Sequence, residues 1–464
     1  MSERPLSISL YEVPVPTTRS AREMDSLRRA GFEVAAVHQP ARAGAVTGLG
    51  MEGIPAAVGN KHPLRTALQR KIRRAGEDPL GERQSKLWLT VLEQPTPQLQ
   101  ARSADLNILA YEWVAAAEAL VARPAHVYWA ADLDALPAAV WAAEVNEGSR
   151  LVFDAHELFT ELDYLDPAQL GDWDEIARTF IPKADLVLTV CDGIADILSD
   201  RYGARRVEVV PNLAVPGDPS PTSIRRELGL PELTPLAVHV GNVPANRRPE
   251  LAVELLAKSP QLHVAFVGEV RQQQDEKLYE LAEPLGVRDR LHFVPPVPGN
   301  ELVSFLRDAD ASLIMYSPKT SANLRLAMPN KLFDALAAGL PVVATEGTAA
   351  ADYVEKEQLG ATFADGDATQ MAAAVEAVLR DEQMPQRIAD RYAEFVWPSN
   401  EERLAGLITE LARSAEPAEV LEFRPVGTPV PRAPAPSWRA NPVGRAKRAV
   451  GWRLTKLRKR LAGR

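Results

Sequence analysis

The stretch NLRLAMPNKLFDALAAGLPVVAT, residues 323–345, decides how this chain folds. Pro329 suits the first position of a helix, and Gly339 suits the residue just past the end of that helix. An apolar strand, residues 341–344, follows at once. A short helix that begins between two strands presents free backbone N–H groups and a partial positive charge. Such a helix end attracts an anion, typically phosphate.

Polar residues of this helix strengthen the prediction of an anion site. Lys331 adds a full positive charge to the first turn, and Asn330 and Asp334 are four residues apart, so they share one face of the helix. We expect the donors and the cation to meet a diphosphate, while the carboxylate of Asp334 accepts from two sugar hydroxyls. The alternative is that Lys331 and Asp334 only decorate a solvated helix end.

The rest of the chain alternates short apolar runs with amphipathic stretches, which predicts parallel α/β sheets. Residues 211–223 hold four prolines and one glycine, so we place a linker there. Two domains follow, 1–215 and 224–384, with helices at 385–396 and 400–413 returning to the first. Ser20 and Glu23 have capping-box spacing at the start of the first helix. The strands are predicted at Ser7–Leu10, Glu33–His38, His126–Ala130, Arg150–Asp154, Asp185–Val190, Val207–Val210, Leu236–Val240, Leu262–Val267, Leu291–Val294, Ala311–Met315 and Pro341–Ala344.

Composition excludes several classes of protein. Of 464 residues, 46% are hydrophobic and 25% are charged, which excludes collagen-like and wholly disordered chains. A single cysteine excludes a disulfide scaffold and a thiolate zinc cluster. Residues 441–464 carry nine basic and no acidic residues, which is a charge of +9. Because the whole chain has a net charge of −9, the remaining residues carry −18. This acidic body argues against general nucleic-acid binding.

Several segments together resemble the family-4 glycosyltransferases with the GT-B fold. The helix segment is similar to the subgroup that reads P-N-K-L-F-(D/E)-x-L-A-A-G-x-P-V-V. The resemblance implies two Rossmann-like domains that face each other across a cleft. The second domain would hold most of a nucleotide sugar, and the first would hold the acceptor. The resemblance covers roughly residues 5–413 and includes, in the order of the family, residues 127–162, 184–198, 209–216 and 238–256.

The resemblance also implies roles for individual residues. Asp334 falls at the acidic position that binds the nucleotide ribose, and Arg247 or Arg248 falls at the cationic position that neutralises the diphosphate leaving group. The backbone of residues 294–297 is where the base is expected. The alternative for the arginine pair is a surface cluster that caps a helix. The predicted catalytic residues are His156, Arg247 and Lys331, and the predicted donor-binding residues are Asn242, Arg247, Arg248, Asn330, Lys331 and Asp334.

The sequence departs from the family pattern in two places. Many members carry two glutamates eight residues apart, but Leu326 stands eight residues before Asp334. We therefore expect backbone groups near residues 327–328 to contact the donor sugar. The first loop, 13–20, reads VPVPTTRS and lacks the usual pair of glycines. Its residues 17–19 either contact a substrate or simply begin a helix.

Polar residues after two predicted strands are further candidates. His156 follows the strand 150–154, where a parallel sheet binds ligands, and could bind a sugar hydroxyl. The alternative is a histidine bonded only within its loop. Asp132 and Asp134 form a D-x-D pattern, but no cluster of histidines or carboxylates supports a metal, so we expect no metal requirement. Cys191 is expected to be a buried, inert thiol.

The sequence thus predicts a nucleotide-sugar-dependent glycosyltransferase without a tightly bound cofactor. Retention of configuration, a lipid-linked or saccharide acceptor and a role in bacterial envelope or exopolysaccharide biosynthesis are what the family implies. The alternatives are a non-catalytic nucleotide-sugar-binding assembly module and a GT-B nucleotide-sugar epimerase. A hydrolase, kinase or dehydrogenase motif is missing.

The C-terminal residues predict a membrane contact. Residues 415–440 are proline-rich and read as a linker, and residues 441–464 place leucines and basic side chains at helical spacing. Such a helix lies well on an anionic membrane surface, and residues 61–74 repeat the pattern. We therefore expect a cytoplasmic protein, peripheral at the inner face of the plasma membrane. The alternatives are a disordered tail and a tail that docks on the acidic body.

Overall fold

A computed structural model describes residues 5–13, 17–38, 52–53, 64–74, 79–93, 104–242, 247–270 and 273–417. These residues form two parallel sheets, of seven and six strands, flanked by helices. The fold is therefore α/β with two Rossmann-like halves, as predicted. The proposed membrane-binding tail 441–464 and most of the linker 415–440 lie outside the described residues. Within the described ranges, no helix is long and apolar enough to cross a membrane.

The first sheet has the strand order β3-β2-β1-β4-β5-β6-β7, with every pairing parallel. Its central strand β4 is buried along its whole length, as expected where helices cover both faces of a parallel sheet. The strands are β1 Ser7–Glu12, β2 Glu33–His38, β3 Glu52–Gly53, β4 Val127–Ala131, β5 Arg150–Ala155, β6 Leu186–Thr189 and β7 Val207–Val209. The helices are α1 Thr18–Arg29, α2 Leu64–Ile72, α3 Pro79–Glu93, α4 Ala104–Val121, α5 Leu136–Val145, α6 Pro167–Phe180 and α7 Asp192–Asp200.

The second sheet has the order β10-β9-β8-β11-β12-β13 and is also parallel. Its strands are β8 Leu236–Val240, β9 His263–Val267, β10 Leu291–Val294, β11 Ala311–Ile314, β12 Val342–Thr345 and β13 Gly360–Phe363. The helices are α8 Ile224–Leu228, α9 Glu250–Lys258, α10 Gln274–Ala282, α11 Gly299–Leu306, α12 Ala322–Leu326, α13 Asn330–Ala337, α14 Ala349–Lys356, α15 Ala368–Arg380, α16 Met384–Asp390, α17 Tyr392–Phe395 and α18 Pro398–Arg413.

Both sheets have a point at which the strand order reverses. In the first sheet this point lies between β1 and β4, and in the second it lies between β8 and β11. Ligands of open parallel sheets bind beyond the carboxyl ends of the strands at such points. The loops after these four strands are therefore the places to look for a site.

Two passages of chain connect the halves and run side by side. The amide of Ala214 donates to the Phe395 carbonyl at 2.9 Å, and the amide of Trp397 donates to the Ala214 carbonyl at 2.7 Å. Helix α18 then packs on α1 of the first half. The predicted return at residues 385–396 is wrong in part, because α16 and α17 pack on α13 of the second half. The chain returns only at Val396–Trp397.

Helix α13 begins and ends close to the predicted residues. Pro329 is its N-cap rather than its first helical residue, and Gly339 follows its end with φ +85°. The amide of Leu340 donates to the Ala335 carbonyl at 2.9 Å, which closes the last turn. The apolar residues of the helix are buried against the second sheet, and its first turn faces the loops after β8 and β11.

Two local predictions in the first half are wrong. Ser20 does not cap α1; the N-cap is Thr17, whose side chain accepts from the Ser20 amide. Glu23 is instead drawn into a buried ion pair with Arg19. In the basic segment 61–74, the side chain of Leu68 is buried in the core of this half, so it is not available to a membrane.

Candidate active site

A cavity of about 480 Å³ opens between the two halves at the carboxyl ends of β8 and β11. Helix α1 of the first half closes one side, and the first turn of α13 closes the other. Of the seven predicted site residues, five line it, and Arg248 and His156 do not. The lining consists of Thr18, Arg22, Val215, Val240, Gly241, Asn242, Arg247, Gly299, Leu302, Tyr316, Pro329, Asn330, Lys331 and Asp334.

Among the residues that the structure describes, no carboxylate lies at ion-pair distance from the buried Lys331 side chain. Lys331 is only 9% exposed, and its Nζ lies 3.0 Å from Nε2 of His239. The Nδ1 of His239 faces the Leu313 carbonyl at 3.0 Å, so Nδ1 carries the proton and Nε2 accepts from the lysine. Burial and the nearby Arg247 lower the pKa of Lys331 to about 7, against the opposing charge of Asp334. An arriving anion would restore the charged form.

Arg247 is the second cation of the cavity. Its guanidinium lies over the ring of Tyr316, 4.6 Å from the centroid, and its Nη1 is buried without a hydrogen-bond partner. The neighbouring Arg248 is different, because it bonds to Glu250 at 2.9 Å and to Asp365 at 3.4 Å. Of the predicted pair, Arg247 therefore lines the cavity, whereas Arg248 forms ion pairs outside its lining.

Asp334 faces the same cavity one turn along α13. Burial raises the pKa of Asp334 to about 7, although the charges of Arg22 and Lys331 oppose that rise. Asn330, four residues earlier, lines the cavity as the helical spacing predicts. Gly299 and Leu302 also line the cavity, whereas residues 294–297, predicted near the base, do not.

A smaller cavity of about 140 Å³ shares Arg247, Tyr316 and Pro329 with the first. Its other wall contains His156 and Glu157, from the loop after β5. The cavities therefore adjoin at the arginine. Ala327 and Met328 line the smaller one, where we expect a donor sugar to meet the backbone.

His156 is held between two carboxylates. Its Nε2 lies 3.0 Å from Asp154 Oδ2, its Nδ1 lies 3.3 Å from Asp132 Oδ2, and its backbone amide donates to Asp132 at 3.0 Å. Burial opposes the charged form, but these two carboxylates outweigh it and raise the pKa of His156 to about 10. His156 is therefore an imidazolium whose two ring nitrogens are both engaged. That arrangement does not suit a general base.

Arg19 completes this network from α1. It is 3% exposed and contacts both oxygens of Asp154, with its Nη2 at 2.8 Å from Oδ1. Its Nη2 also lies 3.0 Å from Glu23 Oε1. Of the three predicted loop residues, only Thr18 reaches the cavity, since Thr17 caps the helix and Arg19 lies in this network.

The network also contains a possible ligand set for a metal. Within the described ranges, Glu23, Asp154 and His156 place ligand atoms within 4.8 Å of one another. The guanidinium of Arg19 already contacts two of these residues and supplies a positive charge. The D-x-D residue Asp132 binds His156 instead of standing free. These contacts favour an ionic network over a metal centre.

Leu326, the residue at the missing acidic position, packs against the first half. Its side chain lies so close to Gly193 that an added Cβ there would meet it at 2.8 Å. Its carbonyl accepts from Cys191 Sγ at 3.2 Å, and burial raises the pKa of that thiol. Leu326 is therefore a contact between the halves.

Three residues at the site, Arg22, His239 and Asn323, are not indicated by any pattern in the sequence. Arg22 lies in a helix whose local sequence marks no ligand, and His239 lies inside an apolar strand. Asn323 was not noticed, although its side chain accepts from the Leu158 amide and donates to Glu157, both at 2.9 Å. The approach of two distant segments creates each of these contacts, and no local pattern signals it.

Comparisons with known proteins agree with this architecture. Residues 221–395 match the family model described as glycosyl transferases group 1. A D-inositol 3-phosphate glycosyltransferase from Geodermatophilus obscurus is 30% identical over 251 residues, which cover 50% of this chain and 54% of that protein. The chain thus matches about half the length of this curated relative.

Solved structures extend the likeness over most of the chain. A sucrose-phosphate synthase from Thermosynechococcus elongatus superposes with a TM-score of 0.60 at 15% identity, covering 88% of this chain and 100% of that one. The Anabaena protein HepE, solved with UDP and glucose, gives a TM-score of 0.58 at 15% identity, covering 87% and 100%. The family match thus covers residues 221–395, and the solved structures show that the chain has the two-domain GT-B fold.

Proposed function

We propose that this protein transfers a sugar from a nucleoside-diphosphate donor to an acceptor bound in the adjoining cavity. The supporting observation is the pair Lys331 and Arg247. Both cations border one cavity, and within the described part of the chain neither has a carboxylate at ion-pair distance. Buried cations without anionic partners are costly, and a diphosphate supplies the missing charge.

The two cations act on the leaving group. As the glycosidic bond breaks, negative charge builds on the diphosphate oxygen, and Lys331 and Arg247 stabilise that charge. Burial strengthens this effect, because screening by water is weak inside the cavity. Asp334 and Asn330, on the same helix, position the nucleoside through its hydroxyls.

In the first half, His156 does not serve as a general base. Both ring nitrogens of His156 face carboxylates, so the acceptor proton needs another destination. We infer that the leaving diphosphate itself accepts that proton. This route corresponds to transfer on one face of the sugar, with retention of configuration.

A thermal-shift panel tests the donor, with UDP-glucose first because HepE was solved with UDP-glucose. UDP, GDP, ADP and their glucose conjugates are added in EDTA, and at least one set is expected to raise the melting temperature. Stabilisation that requires Mg²⁺ or Mn²⁺ contradicts the site as described. Product analysis follows: transfer to an acceptor supports the proposal, binding without turnover supports a non-catalytic module, and an altered sugar without acceptor supports an epimerase.

We infer further that the acceptor belongs to envelope or exopolysaccharide assembly and is lipid-linked or a saccharide. A relative from Rhizobium meliloti is named a lipopolysaccharide core biosynthesis glycosyltransferase. The basic segment 441–464 supports a peripheral position on the anionic inner face of the plasma membrane, since each Lys or Arg near such a surface contributes about 1 kcal/mol. Vesicle sedimentation at low salt tests this position. Truncation after residue 440 should abolish vesicle binding and leave nucleotide binding intact, and equal binding by both forms contradicts it.

A further inference from the structure

Arg22 is a cation of the first half that lies in the wall of the donor cavity. It is on α1, four residues after Thr18, so the two side chains share a face of that helix. Both line the cavity opposite Lys331 and Asp334. The first half therefore presents a helix face to the ligand, where the family usually has a glycine pair.

Groups from the passages between the halves hold the guanidinium of Arg22 in place. Its Nη1 donates to the Leu213 carbonyl, and its centre lies 4.6 Å from the ring centroid of Trp397. The indole of Trp397 in turn donates to Ser26 Oγ at 2.7 Å. Arg22 is only 9% exposed, so its position is well defined.

The charge of Arg22 is nevertheless not neutralised by a direct contact. Its Nε is buried without a hydrogen-bond partner, and no carboxylate of the described chain lies at ion-pair distance from it. The carboxyl groups of Glu23, its neighbour on α1, and of Asp334, across the cavity, act on it only through space. A buried guanidinium in this condition is costly unless an anion arrives.

The cavity as a whole has a charge that suits such an anion. Three cations, Arg22, Arg247 and Lys331, surround one carboxylate, Asp334. With all four ionised, the formal charge is +2. A nucleoside diphosphate carries the opposite charge, and its phosphates would lie between cations of both halves.

We propose that Arg22 binds the diphosphate of the donor from the first half of the molecule, opposite Lys331 and Arg247. This inference rests on the proposed function and adds a residue to it. Because Leu213 and Trp397 hold Arg22, an anion bound to all three cations ties both halves to one ligand.

The experiment compares a nucleoside diphosphate with its nucleoside. Affinities for whichever of UDP, GDP or ADP binds the wild-type protein are measured by calorimetry, and those for the matching nucleoside by ligand-observed NMR. Arg22→Gln is expected to weaken diphosphate binding about ten- to a hundred-fold, the range for a lost charge-assisted hydrogen bond, and to leave nucleoside binding unchanged. Arg29→Gln is the matched control on α1, since Arg29 pairs with Glu401 outside the cavity.

Each outcome decides between the two proposals. If the wild-type protein binds no nucleoside diphosphate, the proposed function fails. If the wild-type protein does bind one, two results would show that Arg22 does not bind the diphosphate. Arg22→Gln would either leave the diphosphate affinity unchanged or weaken diphosphate and nucleoside binding equally. Arg22→Lys is measured in parallel, so that misfolding of the glutamine variant does not end the test. Lysine lacks the planar fork of arginine, and a selective loss of diphosphate affinity is again expected.

Discussion

Two groups of buried cations, one on each side of the cleft, differ in whether the protein supplies carboxylates for them. In the first half, Arg19 and His156 are surrounded by Glu23, Asp132 and Asp154, so each cation has a carboxylate at ion-pair distance. In the second half, Lys331 and Arg247 contact a neutral histidine and an aromatic ring instead. The protein therefore supplies the anions for Arg19 and His156, whereas Lys331 and Arg247, like Arg22 of the first half, depend on a ligand for theirs.

This difference separates stability from binding. Removing one member of a compensated network leaves a partner charge buried and unpaired, which destabilises the fold. Removing a cation that lacks a partner relieves a cost of the folded state, and the loss appears only when the ligand is added. Neutralising a residue of the first group should therefore lower stability, whereas neutralising a cation of the second group should lower ligand affinity.

The largest effect is expected for Asp154→Asn. Asp154 is fully buried and holds both Arg19 and His156, so the isosteric amide leaves two cations without their shared carboxylate. We expect a loss of about 3–5 kcal/mol in the free energy of unfolding, measured by urea denaturation. The control Asp25→Asn removes an exposed pair with Arg28 and should cost below about 1 kcal/mol. Equal losses in the two variants would show that the network is not compensating charge.

The next effect compares adjacent arginines. Arg247→Met should weaken nucleoside-diphosphate binding about ten- to a hundred-fold, because its guanidinium borders both cavities. Arg248→Met should change that affinity by less than about two-fold, since Arg248 is engaged with Glu250 and Asp365. Calorimetric titration measures both. A larger loss for Arg248 would reverse the assignment.

A smaller effect is expected in the pH dependence of stability, where His156 and Lys331 should contribute with opposite signs. His156 has a pKa of about 10, above its usual value near 6.5, so its stabilisation is full below pH 6.5 and is lost as the pH rises to 10. Lys331 has a pKa of about 7, below its usual 10.5, so the unfolded chain binds more protons between these values and stability rises with pH.

The two contributions have opposite signs over nearly the same range. Each proton changes the slope by at most about 1.4 kcal/mol per pH unit. In urea denaturation between pH 7 and 10, His156→Gln should make the slope of stability against pH more positive, and Lys331→Met should make it more negative. Parallel slopes for the wild type and both variants would contradict the charge states assigned to His156 and Lys331.

Local sequence patterns were sufficient to predict much of the fold. Strands such as Leu236–Val240 and Leu291–Val294 were predicted with their observed bounds, because a buried parallel strand is a continuous apolar run between turns. The start of α13 and the face shared by Asn330 and Asp334 followed from proline, glycine and helical spacing. Phosphate chemistry at a helix start then pointed to Lys331.

The rest depended on contacts between distant segments. Ser20 and Glu23 have the spacing of a capping box, yet the fold places Glu23 beside Arg19 and leaves the cap to Thr17. No pattern within α1 could show that Arg22 meets Trp397, which is 375 residues further along the chain. Likewise, the engagement of both nitrogens of His156 required the positions of β4 and β5 side by side.

The most direct test of the account is the affinity of Lys331→Met for a nucleoside diphosphate, measured by calorimetry in EDTA beside its free energy of unfolding. Lys319→Met, which changes an exposed lysine outside the cavity lining, is the matched control. The account predicts that Lys331→Met binds about ten- to a hundred-fold more weakly than the wild type while its stability is unchanged or higher. Wild-type affinity in Lys331→Met, or a loss of affinity that only follows a loss of stability, would contradict it.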